Sequence, residues 1–256
     1  MARVGKKILE FDSEQDVAVD LSTKISELSA KYIKEKGYFT VVLSGGTLID
    51  TLRKLVEKRD VDWSKWIIFF LDERVVPLTV PDSNYKLAYD GFLSKVGIPK
   101  SNIYSIKEKV TPEEAADDYE ARLKQLVANK TLPLSPNGFP IFDLMLVGMG
   151  PEGHVASLFC WHFQRYETQR WITFIKASPK PPAERITMTF PVINASKHIA
   201  MVVTGKEVAD AVKVALHESD RGFAYIPLPV QMVSPTNGEL TWYLDKDALS
   251  KMQGGH

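Results

Sequence analysis

The sequence predicts an α/β protein whose mainly parallel, Rossmann-like sheet carries helices on both faces. Three observations support that fold class. Strand-like and helix-like segments alternate along most of the chain, several strand-like segments are apolar throughout, and no internal repeat interrupts them. A chain of 256 residues has room for about one or two domains. We expect a single domain over residues 1–256, with a core from about residue 8 to about residue 245.

The first half of the chain reads as a helix followed by a βαβ unit. Apolar residues at spacings of three and four, behind an aspartate-serine cap, predict a helix over Ser13–Lys36. The apolar segments Phe39–Leu43 and Ile67–Leu71 predict strands that are buried on both faces. Between them, Leu48–Glu57 places its leucines on one helical face.

The second half continues the alternation. The segment Thr111–Glu114 has the cap, the proline and the acidic third residue of a helix start, and the helix should run to about Asn129. The proline-rich segment Leu132–Pro140 is a connector rather than a domain boundary, because the apolar segment Phe142–Val147 after it extends the same sheet. The remaining predicted elements are helices at Ser83–Lys95 and Gly205–His217 and strands at Trp171–Lys176, Ile186–Phe190, Ile199–Thr204 and Leu240–Leu244.

Composition and charge exclude several classes of protein. Hydrophobic residues make up 45% of the chain and charged residues 25%, which is the balance of a globular protein rather than of a disordered or fibrous one. The 32 basic and 32 acidic residues cancel, so the chain lacks the broad positive field that non-specific nucleic-acid binding uses. We expect no nucleic-acid partner, and any charged ligand must be recognised locally.

The sequence also bears on the compartment. One cysteine, Cys160, cannot form an internal disulfide, which fits a reducing compartment. The basic segment Met1–Lys7 has no apolar core of the kind a signal peptide needs, and no transit-like extension precedes Ile8. The apolar run Trp66–Leu71 is far shorter than the ~20 residues of a membrane span. We therefore expect a cytoplasmic protein with no membrane partner.

A glycine-rich turn, Ser44-Gly45-Gly46-Thr47, lies between the first predicted buried strand and the helix after it. Backbone N–H groups in such a turn form an anion site, and glycines let a phosphate approach closely. The same residue types also suit a tight turn in which Thr47 only caps the helix. The three-glycine fingerprint of dinucleotide sites is absent from the turn.

Charged residues follow the second buried strand as Asp72-Glu73-Arg74. They should emerge at the carboxyl edge of the sheet, where open α/β folds bind ligands. The alternative is a solvated turn with a local ion pair.

A histidine reaches another carboxyl edge in the segment Gly148-Met-Gly150-Pro-Glu152-Gly-His154. An imidazole suits proton transfer near neutral pH, and Glu152 is close enough in sequence to orient it. The alternative is a glycine-rich turn whose histidine caps a helix, because the apolar segment Val155–Phe159 reads as a helical start.

Two further cations, Arg185 and Lys206, lie at later strand boundaries. Each alone would be an ordinary surface charge, but with Arg74 and the Ser44–Thr47 turn they could converge on a phosphate. The remaining histidines lack the paired spacing of zinc sites, so no metal site is predicted; they are His162, His198, His217 and His256.

Taken together, these loops resemble the 6-phosphogluconolactonases, over a span from about Phe11 to Leu244. The resemblance is specific because it is distributed over separate blocks in the family's order, and the segments around residues 48–55 and 84–93 look most like plant members. The blocks are Ser44–Thr47, Asp72–Pro77 with Asp82–Asn84, Gly148–Phe159, Pro182–Thr187 and Thr204–Lys206.

The resemblance implies a single domain of the sugar-phosphate isomerase and deaminase type. It implies hydrolysis of a phosphorylated sugar lactone, 6-phospho-D-glucono-1,5-lactone, to 6-phospho-D-gluconate in the oxidative pentose phosphate pathway, with no metal or coenzyme. We expect a monomer or weak homo-oligomer. His154 matches the general base, Glu152 would hold the imidazole, and Asp72 and Arg74 match the charged pair lining the pocket. The positions expected to bind substrate or polarise the oxyanion, besides Arg74, are Ser44, Gly45, Gly46, Thr47, Asn84, Gly148, Gly150, Arg185 and Lys206.

Two departures from the family pattern leave alternatives open. Glu152 stands where the family commonly has aspartate, and Cys160-Trp161-His162 replaces its usual Pro-Gly-His. Trp161 narrows the lactone pocket if its indole points inward and only reshapes a rim if it points outward. The alternatives to a lactonase are a catalytically silent sugar-phosphate-binding protein and an amino-sugar-phosphate deaminase or isomerase.

Overall fold

The computed structural model describes residues 5–217 and 225–252, which form two sheets. All neighbouring strands of the larger sheet pair in parallel, in the order β1-β9-β8-β5-β2-β3. Its strands are β1 Lys7–Phe11, β2 Phe39–Leu43, β3 Trp66–Phe70, β5 Leu144–Gly148, β8 His198–Val203 and β9 Glu239–Asp245. The smaller sheet is antiparallel, in the order β4-β7-β6, with β4 Asp72–Arg74, β6 Ile172–Ile175 and β7 Arg185–Met188.

Helices cover both faces of the parallel sheet, which confirms the predicted fold class. Successive strand residues point to opposite faces, so Val42 of β2 packs in one core and Val41 and Leu43 in the other. The first core includes residues of α5, α6 and α7, and the second includes residues of α1, α2, α3 and α4. The helices are α1 Glu14–Lys36, α2 Leu48–Thr51, α3 Arg53–Val56, α4 Asn84–Gly91, α5 Pro112–Ala128, α6 Phe190–Asn194 and α7 Ala209–Leu216.

The capping residues of the two long helices agree with the sequence prediction. The Ser13 side chain accepts a hydrogen bond from the Asp16 N–H at the start of α1, and Gly37 ends that helix at a φ of 87°. Thr111 and Glu114 form the reciprocal capping box predicted for α5. Within residues 5–217 and 225–252, none of the helices is long and apolar enough to cross a bilayer.

Several predicted elements differ in extent. The helix predicted over residues 48–57 is divided at Leu52 into α2 and α3, α4 ends at Gly91, and Ala209 begins α7 after a short 3₁₀ turn. Sequence reasoning missed β1, an edge strand whose residues are exposed or half-buried. Its apolar signal is weak because neither face is fully covered, unlike those of β3 at the other edge.

The predicted strands β6 and β7 exist but lie outside the parallel sheet. The chain crosses between the sheets at Leu71, whose N–H donates to the Leu43 carbonyl and whose carbonyl accepts from the Met188 N–H. Asp72–Arg74 consequently continues as a strand, β4, rather than as the solvated turn of the alternative reading.

The helix expected to begin at Val155 is absent. The segment forms a turn, with Ala156 at a φ of 52°, and the Leu158 N–H donates to the Val155 carbonyl. The Ser157 side chain is instead bonded to Asp72, which draws this segment onto the antiparallel sheet.

Candidate active site

A cavity of about 390 Å³ opens at the carboxyl edge of the parallel sheet, beside the antiparallel one. It brings together most of the residues singled out in the sequence. From that set it is lined by Ser44, Gly45, Gly46, Thr47, Asp72, Arg74, Asn84, Gly148, Gly150, His154 and Arg185, and it is also lined by Lys180, Glu207 and Val208, among others.

A buried carboxylate shapes one wall of the cavity. Glu73 is 1% exposed and accepts hydrogen bonds from the N–H groups of Arg74, Asn84 and Tyr85, at 2.7, 2.7 and 2.8 Å, and from the Ser83 hydroxyl at 3.1 Å. Burial raises the pKa of Glu73, and the backbone N–H bonds act in the opposite direction. Glu73 thus fixes the start of α4 and, with it, the Asn84 side chain.

Two arginines meet across the antiparallel sheet. In the register of β4 with β7, Arg74 is the direct partner of Arg185. Arg74 Nη1 donates to the Asp82 carbonyl at 2.7 Å, and its buried Nε has no hydrogen-bond partner among the described residues. Because both guanidinium groups line the cavity, they form a positive wall suited to an anion.

Asp72 lies beside that positive wall and is held by neutral donors. Its Oδ2 accepts from the Ser157 hydroxyl at 2.6 Å, and its Oδ1 accepts from Asn84 Nδ2 at 3.2 Å. Arg185 Nη1 donates to the same Ser157 oxygen at 3.4 Å. Ser157 therefore connects the acid to the arginine pair.

Arg185 is 3% exposed, and its guanidinium also organises the adjacent loop. Its Nε donates to the Pro182 carbonyl at 3.0 Å, and its Nη2 donates to the Lys180 carbonyl at 2.9 Å. Burial, and then the charge of Arg74, hold the pKa of Arg185 below its usual value.

His154 lies at the cavity with its side chain 16% exposed. Its Nδ1 is 2.9 Å from Glu152 Oε1, and Lys180 Nζ is 2.9 Å from Glu152 Oε2. An ionised carboxylate only accepts hydrogen bonds, so this contact assigns the proton of the neutral ring to Nδ1 and leaves Nε2 as the acceptor. The imidazole can therefore take a proton at Nε2.

The electrostatics keep the His154 ring neutral. Burial lowers the pKa of His154 and Lys180 lowers it further, whereas the Glu152 and Asp72 carboxylates raise it, with burial dominating. Partial burial acts to raise the pKa of Glu152, but the hydrogen bond and the positive charge of Lys180 help to lower it overall. The pair is thus a neutral imidazole against an ionised carboxylate.

Two glycines are required by close packing. A Cβ added to Gly150 would lie 2.0 Å from Cε1 of His154, and a Cβ added to Gly45 would lie 2.1 Å from Oδ1 of Asn84. Gly46 has a φ of +75°, which favours glycine. These positions let the side chains of the site approach the backbone.

Lys206 lies outside the cavity, contrary to the sequence expectation. Its side chain is 77% exposed, with Nζ 3.8 Å from Asp247, and the adjacent Glu207 and Val208 line the cavity instead. Sequence reasoning missed Glu73, Ser157 and Lys180. Lys180 offered one signal, its place in a proline-rich segment five residues before Arg185.

Trp161 points away from the site. Its side chain is 82% exposed and does not line the cavity. The outward alternative therefore applies, and the indole does not narrow the pocket. Among the described residues, no group of three or more histidine, cysteine or acidic side chains is arranged to hold a metal ion.

Comparison with known proteins identifies the family. Residues 12–242 match the family described as glucosamine-6-phosphate isomerases/6-phosphogluconolactonase. "Probable 6-phosphogluconolactonase 4, chloroplastic" of Oryza sativa subsp. indica is 56% identical over 96% of this chain and 77% of its own length. "6-phosphogluconolactonase 3, chloroplastic" of Arabidopsis thaliana is 52% identical over 96% of this chain and 75% of its own length.

A solved structure has the same fold. The crystal structure of 6-phosphogluconolactonase from Thermotoga maritima superposes with a TM-score of 0.78 at 27% identity, covering 94% of this chain and all of that one. The matched residues 12–242 contain every cavity residue named above, the whole antiparallel sheet, and the parallel sheet apart from β1 and the end of β9. The chain therefore belongs to the glucosamine-6-phosphate isomerase/6-phosphogluconolactonase family.

Proposed function

We propose that this protein is a 6-phosphogluconolactonase, which hydrolyses 6-phospho-D-glucono-1,5-lactone to 6-phospho-D-gluconate in the oxidative pentose phosphate pathway. One observation carries the proposal. A single cavity contains a neutral histidine with a free Nε2 and, on another wall, the paired guanidinium groups of Arg74 and Arg185. A proton acceptor and an anion site are what a phosphorylated lactone requires of a hydrolase.

The proposed first step is general-base catalysis. His154 Nε2 accepts a proton from water as the water oxygen bonds to C1 of the lactone, and the C1 carbonyl becomes an oxyanion. Glu152 accepts the hydrogen bond from Nδ1 and stabilises the imidazolium that forms. Its role is to hold the ring and its tautomer rather than to take the proton.

The second step opens the ring. The oxyanion collapses, the bond between C1 and the ring oxygen breaks, and the imidazolium returns its proton to the departing oxygen as the C5 hydroxyl forms. The products are a carboxylic acid, which ionises at neutral pH, and a neutral histidine ready for another cycle. Every atom comes from the lactone and one water.

The charges of the cavity indicate how the substrate is held. In this proposal Arg74 and Arg185 bind the phosphate, assisted by the backbone of Ser44–Thr47, which also lines the cavity. Asn84 and Asp72 offer polar groups for the sugar hydroxyls. We assign no substrate contact to Lys206, because its side chain lies outside the cavity.

The decisive test measures lactone disappearance with purified protein at slightly acid pH, where spontaneous hydrolysis is slower. The His154→Ala variant should hydrolyse the lactone about 10²–10⁴-fold more slowly while keeping its fold. His162→Ala is the matched control, because that ring does not line the cavity. No rate above background for the unmodified protein would overturn the proposal.

The same preparation separates the alternatives. Ammonia release from glucosamine 6-phosphate would identify a deaminase instead. Calorimetric binding of 6-phosphogluconate without lactone turnover would identify a silent binding protein. Trp161, the residue that raised the latter alternative, lies outside the cavity and gives it no support.

We further propose that the protein works in the cytoplasm as a monomer or weak homo-oligomer, with residues 8–245 as its folded core. The single cysteine supports a reducing compartment. Two relatives carry "chloroplastic" in their names, so imaging of a fluorescent fusion in plant cells should include a plastid marker. Sedimentation tests the oligomeric state, and limited proteolysis tests the extent of the core.

A further inference from the structure

Three side chains beside the cavity form a continuous chain of hydrogen bonds. One oxygen of Glu152 is 2.9 Å from His154 Nδ1, and its other oxygen is 2.9 Å from Lys180 Nζ. The carboxylate thus has two partners, an imidazole that can carry a proton and an ammonium that already carries one. His154 and Lys180 line the cavity from opposite ends of this chain.

The position of Lys180 is enforced by the fold, although its side chain is 43% exposed. Its carbonyl accepts a hydrogen bond from the buried Arg185 guanidinium, which also binds the carbonyls of Pro181 and Pro182. The Ser178 N–H donates to the Ala183 carbonyl and closes the loop at its base. These bonds hold the backbone of the loop at four carbonyls, from a position where the Lys180 ammonium reaches Glu152.

We propose that Lys180 is a positioning residue that acts through Glu152 to keep His154 neutral and correctly oriented as the base. The catalytic role given to Lys180 rests on the proposed lactonase function. The contacts of Lys180 with Glu152 do not depend on that function. Lys180 is not assigned a bond to the reacting atoms.

The effect of Glu152 on the His154 ring depends on whether the carboxylate has a counter-ion. Unpaired, Glu152 would stabilise a proton on the imidazole and convert the base into its inactive charged form. Paired with Lys180, Glu152 keeps its hydrogen bond to Nδ1 while much of its charge is compensated. Burial is the larger cause of the lowered pKa of His154, and Lys180 adds to it by repelling an imidazolium directly.

Other charges surround the ring and limit what Lys180 can do. Asp72 on β4 favours the protonated imidazole and opposes Lys180. Arg74 and Arg185 form the positive wall of the same cavity, and Phe159 packs between Arg185 and the His154 ring, with ring centroids 4.8 Å apart for His154 and Phe159. Replacement of Lys180 leaves these groups unchanged. A difference in the His154 titration between Lys180 variants is therefore due to the side chain at position 180.

The experiment compares Lys180→Met, which keeps the length of the side chain, with Lys180→Arg, which keeps its charge. We would follow the His154 ring protons by NMR titration and the acid limb of the kcat/KM profile for the lactone. In Lys180→Met the titration and the acid limb should both move to higher pH, and the ratio of kcat/KM at pH 8 to that at pH 6 should rise roughly twofold or more. Lys180→Arg should restore both.

A second variant tests whether the effect passes through Glu152. Glu152→Gln removes the charge, so the His154 titration should move to lower pH, and a further Lys180→Met change in that background should have a smaller effect than in the unmodified protein. These variants also keep the test informative if Lys180→Met alone does not fold.

Different results would overturn the role of Lys180 and the proposed lactonase function. An unshifted His154 titration in a folded Lys180→Met variant overturns the inference, and so does a rate loss that is equal at every pH. A protein without lactonase activity overturns the proposed function, while the NMR titration still decides the role of Lys180. A shift that Lys180→Arg reverses supports the inference in either case.

Discussion

Arg74 and Arg185 are direct partners across two antiparallel strands, and both line the cavity. Like charges in that relationship repel, so the pairing costs stability unless an anion binds between them. The fold accepts this arrangement because each guanidinium is held by carbonyl oxygens, of Asp82 for Arg74 and of Lys180 and Pro182 for Arg185. This cost is consistent with the proposal that the pair binds the anionic end of the ligand.

Replacing either arginine should weaken binding of the phosphorylated ligand. Loss of a charge-assisted hydrogen bond is worth about 1.5–3 kcal/mol, so Arg74→Met should raise the Kd for 6-phosphogluconate on the order of tenfold to a hundredfold by calorimetry. Lys206→Met should change it little, since Lys206 lies outside the cavity. A larger effect from Lys206 than from Arg74 would contradict the assigned anion site.

Substitution of Gly150 should displace the base without unfolding the protein. An alanine Cβ would fall 2.0 Å from His154 Cε1, so the ring must move away from its bond with Glu152. We expect kcat of Gly150→Ala to fall by roughly tenfold or more, because a small displacement of a catalytic group slows the reaction strongly.

Gly97 supplies the matched control for that change. Its added Cβ would meet only Trp63 Cβ, at 4.0 Å. Gly97→Ala should keep both kcat and the far-ultraviolet circular dichroism of the unmodified protein. Full activity in Gly150→Ala would show that His154 needs no fixed position.

Replacement of Glu73 should lower the stability of the folded protein and not only its activity. The Glu73→Gln amide replaces one acceptor oxygen by an NH2 group, which would face either the N–H donors of Arg74 and Asn84 or that of Tyr85 and leave them unsatisfied in a buried place. We expect a loss of about 1–3 kcal/mol in the free energy of unfolding, measured by urea denaturation. The exposed Glu10→Gln is the control, and equal stability of the two variants would refute this role.

Removal of the Trp161 side chain should leave catalysis intact. The indole is 82% exposed and lies outside the cavity, so Trp161→Gly should keep kcat/KM for the lactone within roughly twofold of the unmodified value. Phe163, another aromatic residue of that loop, is 88% exposed. Measuring kcat/KM for Phe163→Ala tests whether the composition of the loop affects catalysis. A marked gain in kcat/KM for Trp161→Gly would mean that Trp161 reaches the substrate in solution.

Much of the fold was predictable because its signals are local. Buried strands such as β2 and β3 are apolar throughout, and α5 begins at a capping box that involves only residues four apart or fewer. The short distance between Glu152 and His154 likewise follows from their neighbouring positions in one turn. β1 gave a weak signal because all its residues are exposed or half-buried, whereas β3 at the other edge of the sheet is almost fully buried.

By itself, the sequence determined the α/β class, the order of most elements and the loops that carry the polar residues of the site. Only the tertiary structure decided that Asp72–Arg74 is a strand paired with β7, that Lys180 rather than Lys206 lines the cavity, and that Trp161 points outward. The physical reason is the range of the interactions. Helix periods and caps act within a few residues, whereas the bonds of Asp72 to Ser157 and of Arg185 to the Lys180 loop depend on how the two sheets meet.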